Sequence, residues 1–181
     1  MIKMSEFLLI NSPIFWDSKA ETDDYLTPLG QGYIATQLDK AGIEVELLDS
    51  VKRMMSVEDI LGYIKSNKPR YVGLNIFTQN YSLVKHIVEN TSFDGHVFIG
   101  GQAVKFMHDD IVTWSCQNKC DIIIGEGEYI IPALCKRECQ EQPIKVVGNK
   151  RVFRVTKDSK YFPADISHEG VEVVAKSRSS H

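Results

Sequence analysis

Short apolar runs alternate with longer segments of helical periodicity along most of the chain. Five of these runs lack clean polar alternation, which is typical of parallel strands that are covered on both faces. The runs are Phe7–Ile10, Val45–Leu48, Tyr71–Ile76, His96–Ile99 and Asp121–Ile124. We therefore predict five buried, parallel β-strands.

The segments that follow these runs carry apolar residues at helical spacing. Gly42 is a C-terminal signal for the first helix, Ser56 can cap the second, and Pro69 ends the second. His108 is expected at, or just before, the start of the fourth helix. The five apolar stripes are Ile34, Leu38 and Ala41; Val57, Ile60, Leu61 and Ile64; Val84, Ile87 and Val88; Ile111, Val112 and Trp114; and Ile130, Ile131 and Leu134.

Strand followed by helix, repeated five times, predicts an α/β fold. Right-handed crossovers place helices on both faces of a parallel sheet, and the expected strand order is 2-1-3-4-5, a flavodoxin-like (Rossmann-like) arrangement. Later in the chain, Ile144–Val147 and Arg151–Val155 flank Gly148–Asn149, which predicts a β-hairpin. We predict a main domain over residues 1–141, a hairpin extension over 142–156 and a polar linker over 157–181.

The composition is that of an ordinary soluble domain. The chain has 181 residues, of which 43% are apolar and 25% charged, and its net charge is −3. This charge does not favour nucleic acid or an anionic membrane as a partner. No apolar run approaches the ~20 residues that span a bilayer, and the first residues lack a signal-peptide pattern. We expect a cytoplasmic protein that binds neither nucleic acid nor a membrane.

Four cysteines form two pairs at i, i+4 spacing, Cys116 with Cys120 and Cys135 with Cys139. Both pairs are expected on helices, reduced, buried and inert, as is usual in the cytosol. An iron–sulfur CxxxCxxC motif would need a third cysteine at position 123, where Ile123 stands. We predict no metal ligand and no catalytic residue in this chain.

In an open α/β sheet, ligands bind beyond the carboxyl ends of the strands. The connection after the first strand, residues 11–28, far exceeds the usual ~4–6 residues and suggests a binding loop or lid. The other candidate loops are Phe77–Asn80, Gly100–Ala103 and Gly125–Glu128. Their glycines suit either close ligand approach or tight turns, and both interpretations stay open. The long loop holds Trp16, Asp17, Asp23, Asp24 and Tyr25.

The segment Gly30-x-Gly32-x-x-Ala35 has the glycine spacing of a dinucleotide-binding turn, and Asp49 lies where a ribose-binding acid is expected. Such a turn directly follows the first strand, whereas 17 residues separate Ser12 from Gly30. We therefore expect these glycines in the first turn of helix one, beside a larger ligand. An NAD(P)- or flavin-binding oxidoreductase domain remains an alternative. A cofactor-free, receiver-like module is a second one.

Several motifs occur together in one order along the chain. Asn11-Ser12-Pro13 is followed by Pro28-Leu29-Gly30-Gln31-Gly32-Tyr33-Ile34-Ala35, Ala41-Gly42-Ile43-Glu44-Val45, Pro69-Arg70-Tyr71-Val72-Gly73-Leu74 with Thr78, Gly100-Gly101, and Gly125-Glu126-Gly127-Glu128. Over residues 5–140 this series resembles the cobalamin-binding domain found at the front of many radical SAM enzymes.

The resemblance implies a cofactor-binding role for four groups of residues. The corrin ring and the cobalt would be bordered by Leu29, Gly30, Gln31, Gly32 and Tyr33, and hydrogen bonds to the nucleotide tail or corrin amides would come from Thr78 and Asn80. The tail groove would be lined by Gly100, Gly101 and Gln102, and backbone contacts would come from Gly125, Glu126 and Gly127.

The chain departs from related patterns in two places within the domain. No histidine lies between residues 1 and 85, so the DxHxxG motif that ligates cobalt in methionine-synthase-like domains is absent. The resemblance therefore implies base-off cobalamin without a protein histidine ligand. Ala103-Val104 also stands where many relatives carry a histidine after the paired glycines.

Near the end of the chain, Ala175–Ser180 resembles the segment that enters a radical SAM barrel, with Ser180 where the first cluster cysteine is expected. The resemblance thus implies a noncatalytic cobalamin module of a larger radical SAM enzyme, with methyl transfer as one candidate reaction. The partner would be a radical SAM domain, covalently linked or separate, that binds a [4Fe-4S] cluster and S-adenosylmethionine.

Overall fold

The computed structural model describes residues 5–14 and 28–163, which form alternating strands and helices. The strands are β1 (Phe7–Asn11), β2 (Val45–Asp49), β3 (Tyr71–Asn75), β4 (His96–Gly100), β5 (Lys119–Ile124), β6 (Lys145–Val147) and β7 (Lys150–Arg154). The helices are α1 (Leu29–Lys40), α2 (Val57–Asn67), α3 (Tyr81–Asn90), α4 (Val104–Ile111) and α5 (Ile130–Cys135). The five predicted strands are confirmed, with ends that differ by one or two residues.

The strands form one seven-stranded sheet in the order β2-β1-β3-β4-β5-β7-β6. The predicted order is confirmed for the first five strands, but the prediction of a five-stranded sheet is wrong because the hairpin joins it. β7 lies parallel to β5, and β6 is the antiparallel edge strand. Val152 and Phe153 of β7 are both buried, so this strand supplies apolar side chains to both faces of the sheet.

The sheet separates two hydrophobic layers. Helices α2, α3 and α4 cover one face, where Ile60, Val84 and Val104 pack against alternate residues of the strands. Helices α1 and α5 cover the other face through Leu38 and Ile130. Because each layer takes every second residue of the central strands, these strands need apolar residues at nearly every position, as the sequence shows.

The predicted helix boundaries of α1 and α2 rest on local chemistry that the structure contains. Ser56 Oγ accepts a hydrogen bond from Asp59 N at 3.1 Å, and the Asp59 carboxylate accepts one from Ser56 N at 2.9 Å. This capping box satisfies two backbone donors at the start of α2. Gly42 follows α1 with a φ of +78°, a conformation that glycine adopts without steric cost.

Two sequence predictions on this side of the fold are wrong. Helix α4 begins at Val104, so His108 lies inside it, and the stripe used to place the helix starts only at its last residue, Ile111. Cys116 and Cys120 do not share a helix, because β5 begins at Lys119 and Cys120 belongs to that strand. The i, i+4 spacing suggested a helix for both pairs, but the first pair spans a loop and a strand start. Cys139 of the second pair lies beyond the last residue of α5, Cys135.

The first residues of the predicted linker pack against the domain. Tyr161 is 8% exposed, joins the layer formed with α1 and α5, and its hydroxyl accepts a hydrogen bond from Gln140 N at 3.0 Å. The rest of the predicted linker, residues 164–181, lies outside the described residues, as do Trp16, Asp17, Asp23, Asp24 and Tyr25. Within the described part, no helix has the length and apolar character needed to cross a membrane.

Candidate functional site

The candidate site is the carboxyl edge of the sheet, meaning the C-terminal ends of β1–β5 and the loops that follow them. Polar side chains tie the first three strand ends together. Asn11 Nδ2 donates to Asp49 Oδ1 at 3.0 Å, and Asn75 Nδ2 donates to Asn11 Oδ1 at 3.4 Å. Ser12 N donates to Asn75 Oδ1 at 2.7 Å, and Asn75 N donates to Ser12 Oγ at 3.2 Å. These hydrogen bonds hold the C-terminal ends of β1, β2 and β3 together and form the base of the candidate site, which we call the floor.

Helix α1 begins directly above this floor. The Gln31 side chain is buried, and its Nε2 donates to the carbonyl oxygen of Ile10 at 2.5 Å. This contact brings Leu29–Tyr33 to the end of β1, as the sequence predicted for the glycines of the first helical turn. Gln31 Oε1 is buried and has no hydrogen-bond partner among the described residues. An unpaired buried acceptor is costly, so the start of α1 offers a hydrogen-bond site.

Three glycines at this edge have open space beside them. A Cβ atom placed on Gly30, Gly32 or Gly100 would meet no heavy atom within 4 Å among the described residues. None of the three has a positive φ. Neither packing nor backbone conformation within the described part of the chain requires glycine at these positions. We call them the open glycines, and the room beside them is available to a bulky ligand.

Two other predicted glycines are required by the turns in which they lie. Gly101 has a φ of +108°, and a Cβ there would lie 2.6 Å from the carbonyl oxygen of Ile76. Gly125 has a φ of +94°, and its Cβ would lie 2.5 Å from the carbonyl oxygen of Val155. We call these the closed glycines. The tight-turn interpretation therefore holds for the closed glycines, and close ligand approach stays a prediction for Gly100.

The β5–α5 loop also contains a tightly packed glycine and an acidic pair. A Cβ on Gly127 would lie 2.9 Å from Ile131 Cδ1, so this glycine leaves room for the Ile131 side chain in the first turn of α5. Glu126 is exposed, whereas the Glu128 carboxyl is partly buried, with Oε2 lacking a hydrogen-bond partner among the described residues. Burial raises the pKa of Glu128, and the neighbouring Glu126 adds to the rise. A carboxyl with a raised pKa holds its proton to higher pH and can donate it in a hydrogen bond.

The predicted contact residues of the β3–α3 loop occupy different positions. Thr78 is exposed, whereas Asn80 is completely buried. Asn80 Oδ1 accepts a hydrogen bond from Phe77 N at 2.7 Å, and its Nδ2 donates to the carbonyl oxygen of Asn75 at 3.4 Å. Asn80 thus lies beneath the loop and holds its shape, whereas Thr78 and Gln79 are the residues that the loop exposes.

The remaining predicted residues lie around the same edge. Gln102 is exposed, Tyr33 is half-buried and Leu29 is 57% exposed, which is unusual for a leucine at the start of a helix. Ile14, at the end of the described segment after β1, is 40% exposed. Leu29 and Ile14 thus place two exposed apolar side chains on either side of residues 15–27, which lie outside the described residues.

Sequence reasoning missed the residues that organise this edge. Asn75, Ser12 and Ser50 were not among the predicted site residues, yet the Ser50 hydroxyl donates to the carbonyl oxygen of Asn11 at 2.5 Å and completes the network. The available signal was the polar residues directly after the first two apolar runs, Asn11-Ser12 and Asp49-Ser50, and Asn75 within the third. Asp49, the candidate ribose-binding acid, accepts hydrogen bonds from Asn11 Nδ2 and Lys52 N, so its carboxylate supports the edge.

The edge is chemically suited to a polar ligand with little charge. Its side chains are mostly amides and hydroxyls, and its charged groups named above are carboxylates. Residues 5–14 and 28–163 contain no group of three or more His, Cys, Asp or Glu side chains that could hold a metal ion. Such an edge suits a ligand rich in amides better than one recognised through phosphate charge.

Comparison with known proteins points to one family of ligand-binding domains. A family model described as the B12 binding domain matches residues 18–135, well over half of the chain. The curated protein sequences contain no significant match.

Two solved structures share the fold. One is the radical S-adenosylmethionine methyltransferase TsrM from Kitasatospora setae, solved with tryptophan substrate and a SAM analogue; the identity is 21%, the TM-score 0.56, and the match covers 73% of this chain and 25% of that one. The other is the cobalamin-dependent S-adenosylmethionine radical enzyme OxsB with aqua-cobalamin bound; the identity is 18%, the TM-score 0.57, and the match covers 76% of this chain and 20% of that one. This chain therefore spans a quarter or less of either protein.

Proposed function

Because the chain belongs to the B12-binding domain family, we propose that it holds cobalamin against the carboxyl edge of its sheet and presents it to a radical SAM domain. The open glycines carry this proposal, since the described residues give no other reason for glycine at Gly30, Gly32 and Gly100. When bound, cobalamin supplies the organometallic chemistry, and the protein supplies binding and orientation.

Each part of the edge has a proposed task. Leu29, Gly30, Gly32 and Tyr33 form an apolar wall with clearance for the corrin, and Gln31 anchors that wall to β1. Thr78 and Gln102 are exposed on neighbouring loops and would hydrogen-bond the nucleotide tail or corrin amides. Gly100 leaves room for the tail, and Glu126 borders it at the next loop. Gly101, Gly125, Gly127 and Asn80 act through the loop shapes that they make possible.

We further propose that the cobalt carries no histidine from this domain. His86 lies in α3, His96 begins β4 at the opposite end of the sheet, and His108 lies in α4 with Nδ1 hydrogen-bonded to the carbonyl oxygen of Lys105. None of these residues is part of the carboxyl edge. Electron paramagnetic resonance of the bound Co(II) form should show no nitrogen superhyperfine splitting from an axial ligand, and a clear splitting would contradict base-off, histidine-free binding.

The proposed partner is a radical SAM domain, either in the same polypeptide or in a separate protein, with a [4Fe-4S] cluster and S-adenosylmethionine. Two observations support it. The structures that share this fold have radical S-adenosylmethionine chemistry in their names, and they are at least four times longer than the matched part. The exposed Leu29 and Ile14 also give the carboxyl edge an apolar rim that a second domain would cover. Methyl transfer is the candidate reaction of the whole enzyme.

Binding is tested directly with the purified chain. After incubation with hydroxocobalamin and desalting, the protein should keep a corrin absorption spectrum and about one cobalt per chain. Titration with NADH and with flavin mononucleotide serves as the control, because the oxidoreductase alternative predicts that one of these binds instead. A colourless protein that binds NADH or flavin would overturn the proposal.

The role of Thr78 is tested with a second corrinoid. Cobinamide lacks the nucleotide tail but keeps the corrin ring and its amides. If Thr78 contacts the tail, Thr78→Val should weaken cobalamin binding about tenfold, as expected for the loss of one well-made polar contact, and leave cobinamide binding unchanged. An equal loss of affinity for cobalamin and cobinamide would mean that Thr78 contacts the corrin ring. No loss of affinity for either ligand would mean that Thr78 is not part of the site.

A further inference from the structure

The loop between α4 and β5 brings Cys116 back over the start of β5. Asn149, in the turn between β6 and β7, clamps this loop: its Nδ2 donates to the carbonyl oxygens of Cys116 at 2.8 Å and Asn118 at 2.6 Å. Cys120 N donates to the carbonyl oxygen of Asn149 at 3.1 Å. The same asparagine therefore holds both cysteines in place.

The thiols of Cys116 and Cys120 are neighbours, close enough for each to shift the pKa of the other. Cys120 is 1% exposed and belongs to the layer under α2, α3 and α4, and the partly buried Cys116 packs against the same layer. Cys116 Sγ also lies 3.4 Å from the carbonyl oxygen of Asn118. The arrangement consists of a thiol that solvent can reach and a second thiol directly behind it.

The surroundings shift the pKa values of the two thiols in opposite directions. The hydrogen bond from the Cys120 thiol lowers the pKa of Cys116 to about 7, against the opposing effect of burial, and the Lys150 ammonium contributes in the same direction. The same hydrogen bond and complete burial raise the pKa of Cys120 well above its ordinary value. The lowered pKa favours the thiolate, which is the nucleophilic form, at Cys116, while the raised pKa keeps the proton on Cys120.

We propose that Cys116 and Cys120 form a redox-sensitive pair that a hydroperoxide converts into a disulfide. The Cys116 thiolate attacks one peroxide oxygen, the O–O bond breaks, and the leaving oxygen takes a proton, which leaves a sulfenic acid on Cys116. The Cys120 sulfur then attacks the Cys116 sulfur, its thiol proton passes to the departing hydroxyl, and water leaves. Two thiols lose two electrons, and the peroxide is reduced to water and an alcohol or a second water.

The second cysteine pair provides a matched control within the same chain. Cys135 and Cys139 have the same i, i+4 spacing, but burial raises the pKa of Cys135 to about 12. Cys139 is only partly exposed, and its Sγ lies 4.0 Å from the carbonyl oxygen of Glu141. Spacing alone would make the two pairs equally reactive, whereas the proposal makes only the first pair reactive.

The experiment treats the purified chain with hydrogen peroxide and measures its mass. Formation of the disulfide removes two hydrogens, about 2 Da. Trypsin cleaves after Lys119, so the bond should join the peptides 106–119 and 120–136. The variants Cys135→Ser and Cys139→Ser should keep this product. Cys116→Ser should abolish it.

Cys120→Ala, chosen because it retains an apolar core position, should divert Cys116 to sulfinic acid. An independent readout is the rate of Cys116 alkylation by iodoacetamide, which should rise with a midpoint near pH 7 in the untreated protein. Over-oxidation of Cys116 without a disulfide in the unaltered chain would overturn the proposal. So would an equal yield of a Cys135–Cys139 disulfide. Cobalamin plays no part in this test, so its result is independent of the proposed function.

Discussion

Two glycines, one near each edge of the sheet, have opposite surroundings. A Cβ on Gly95, just before β4, would collide with the Phe93 ring and lie 2.5 Å from the carbonyl oxygen of Arg70. A Cβ on Gly32 at the carboxyl edge would meet nothing within 4 Å among the described residues. Glycine thus serves close packing at Gly95 and leaves clearance at Gly32, and the closed glycines show that the carboxyl edge contains both kinds.

The amino edge also holds a buried charged cluster. Near this edge, Asp121 is 1% exposed and lies between Arg151, which donates to both carboxylate oxygens at 2.8 and 2.7 Å, and His96, whose Nε2 is 3.1 Å from Oδ2. Buried oxygens without a partner in the described residues occur near both edges, at Gln31 and Glu128 and at Thr91 and Asn118. We infer that the Asp121 cluster stabilises the sheet, and we expect the ligand at the open glycines.

The largest expected effect comes from breaking the amino-edge cluster. Arg151→Met should cost about 3 kcal/mol of unfolding free energy, the lower end for removing one partner of a buried ion pair, since the guanidinium is partly exposed. Urea unfolding measures this cost. Arg154→Met, which removes an exposed arginine from the same strand, is the control and should change stability by less than about 0.5 kcal/mol. An equal loss of unfolding free energy in both variants would contradict the claim that the Asp121 cluster stabilises the sheet.

A smaller effect is expected from two adjacent glycines at the carboxyl edge. Gly101→Ala forces a side chain into a positive φ and against the Ile76 carbonyl, so we expect a loss of about 2 kcal/mol. Gly100→Ala meets neither obstacle and should change the unfolding free energy by less than about 0.5 kcal/mol. Thermal or urea unfolding compares the two variants. If both lose the same stability, the distinction between closed and open glycines fails.

The smallest effect concerns pH. Burial alone would raise the pKa of Asp121, but the hydrogen bonds and charges of His96 and Arg151 outweigh it and lower the pKa below 3.8. A group with a lowered folded-state pKa stabilises the fold above its unfolded-state value, about pH 3.9, and loses this contribution as pH falls through the folded-state value. Unfolding free energy should therefore decline below about pH 4.

The decline should be shallower in Arg151→Met, because that variant lacks one of the groups that lower the Asp121 pKa. Asp59 and Asp109 also have lowered pKa values, through hydrogen bonds with Ser56 and Lys145, so the difference between the two proteins isolates Asp121. Parallel pH profiles for the variant and the unaltered chain would contradict the assignment.

Much of this architecture could be predicted from sequence because the central strands are recognisable as short apolar runs. Phe7–Ile10 and Ile122–Ile124 are apolar at every position, since helices cover both faces of the sheet, and Ser56 with Asp59 marks the start of α2. The place of the hairpin in the sheet depends on β7 pairing with β5, a contact between distant residues that no local pattern encodes. The hairpin itself could be predicted from its turn and flanking segments, but its pairing with β5 could not.

The site was only partly predictable for a related reason. The sequence could single out Gly30, Gly32, Gly100, Gly101 and Gly125, but the difference between open and closed glycines depends on Ile76 and Val155, which directly follow β3 and β7. Asn80 is a similar case, because its position in a candidate loop suggested a ligand contact. Its side-chain amide is instead hydrogen-bonded to the backbone of Phe77 and Asn75.

The central claim is that the space beside the open glycines is where cobalamin binds. Gly32→Leu and Gly62→Leu test it as a matched pair, because both glycines lie in helices with nothing within 4 Å of a Cβ, and Gly62 lies in α2, away from the carboxyl edge. Either change should leave the fold intact or stabilise it by about 0.5–1 kcal/mol, as expected when glycine leaves a helix. The measurement is the dissociation constant for hydroxocobalamin. We predict at least a tenfold weakening for Gly32→Leu and none for Gly62→Leu, and equal affinity in the two folded variants would contradict the account.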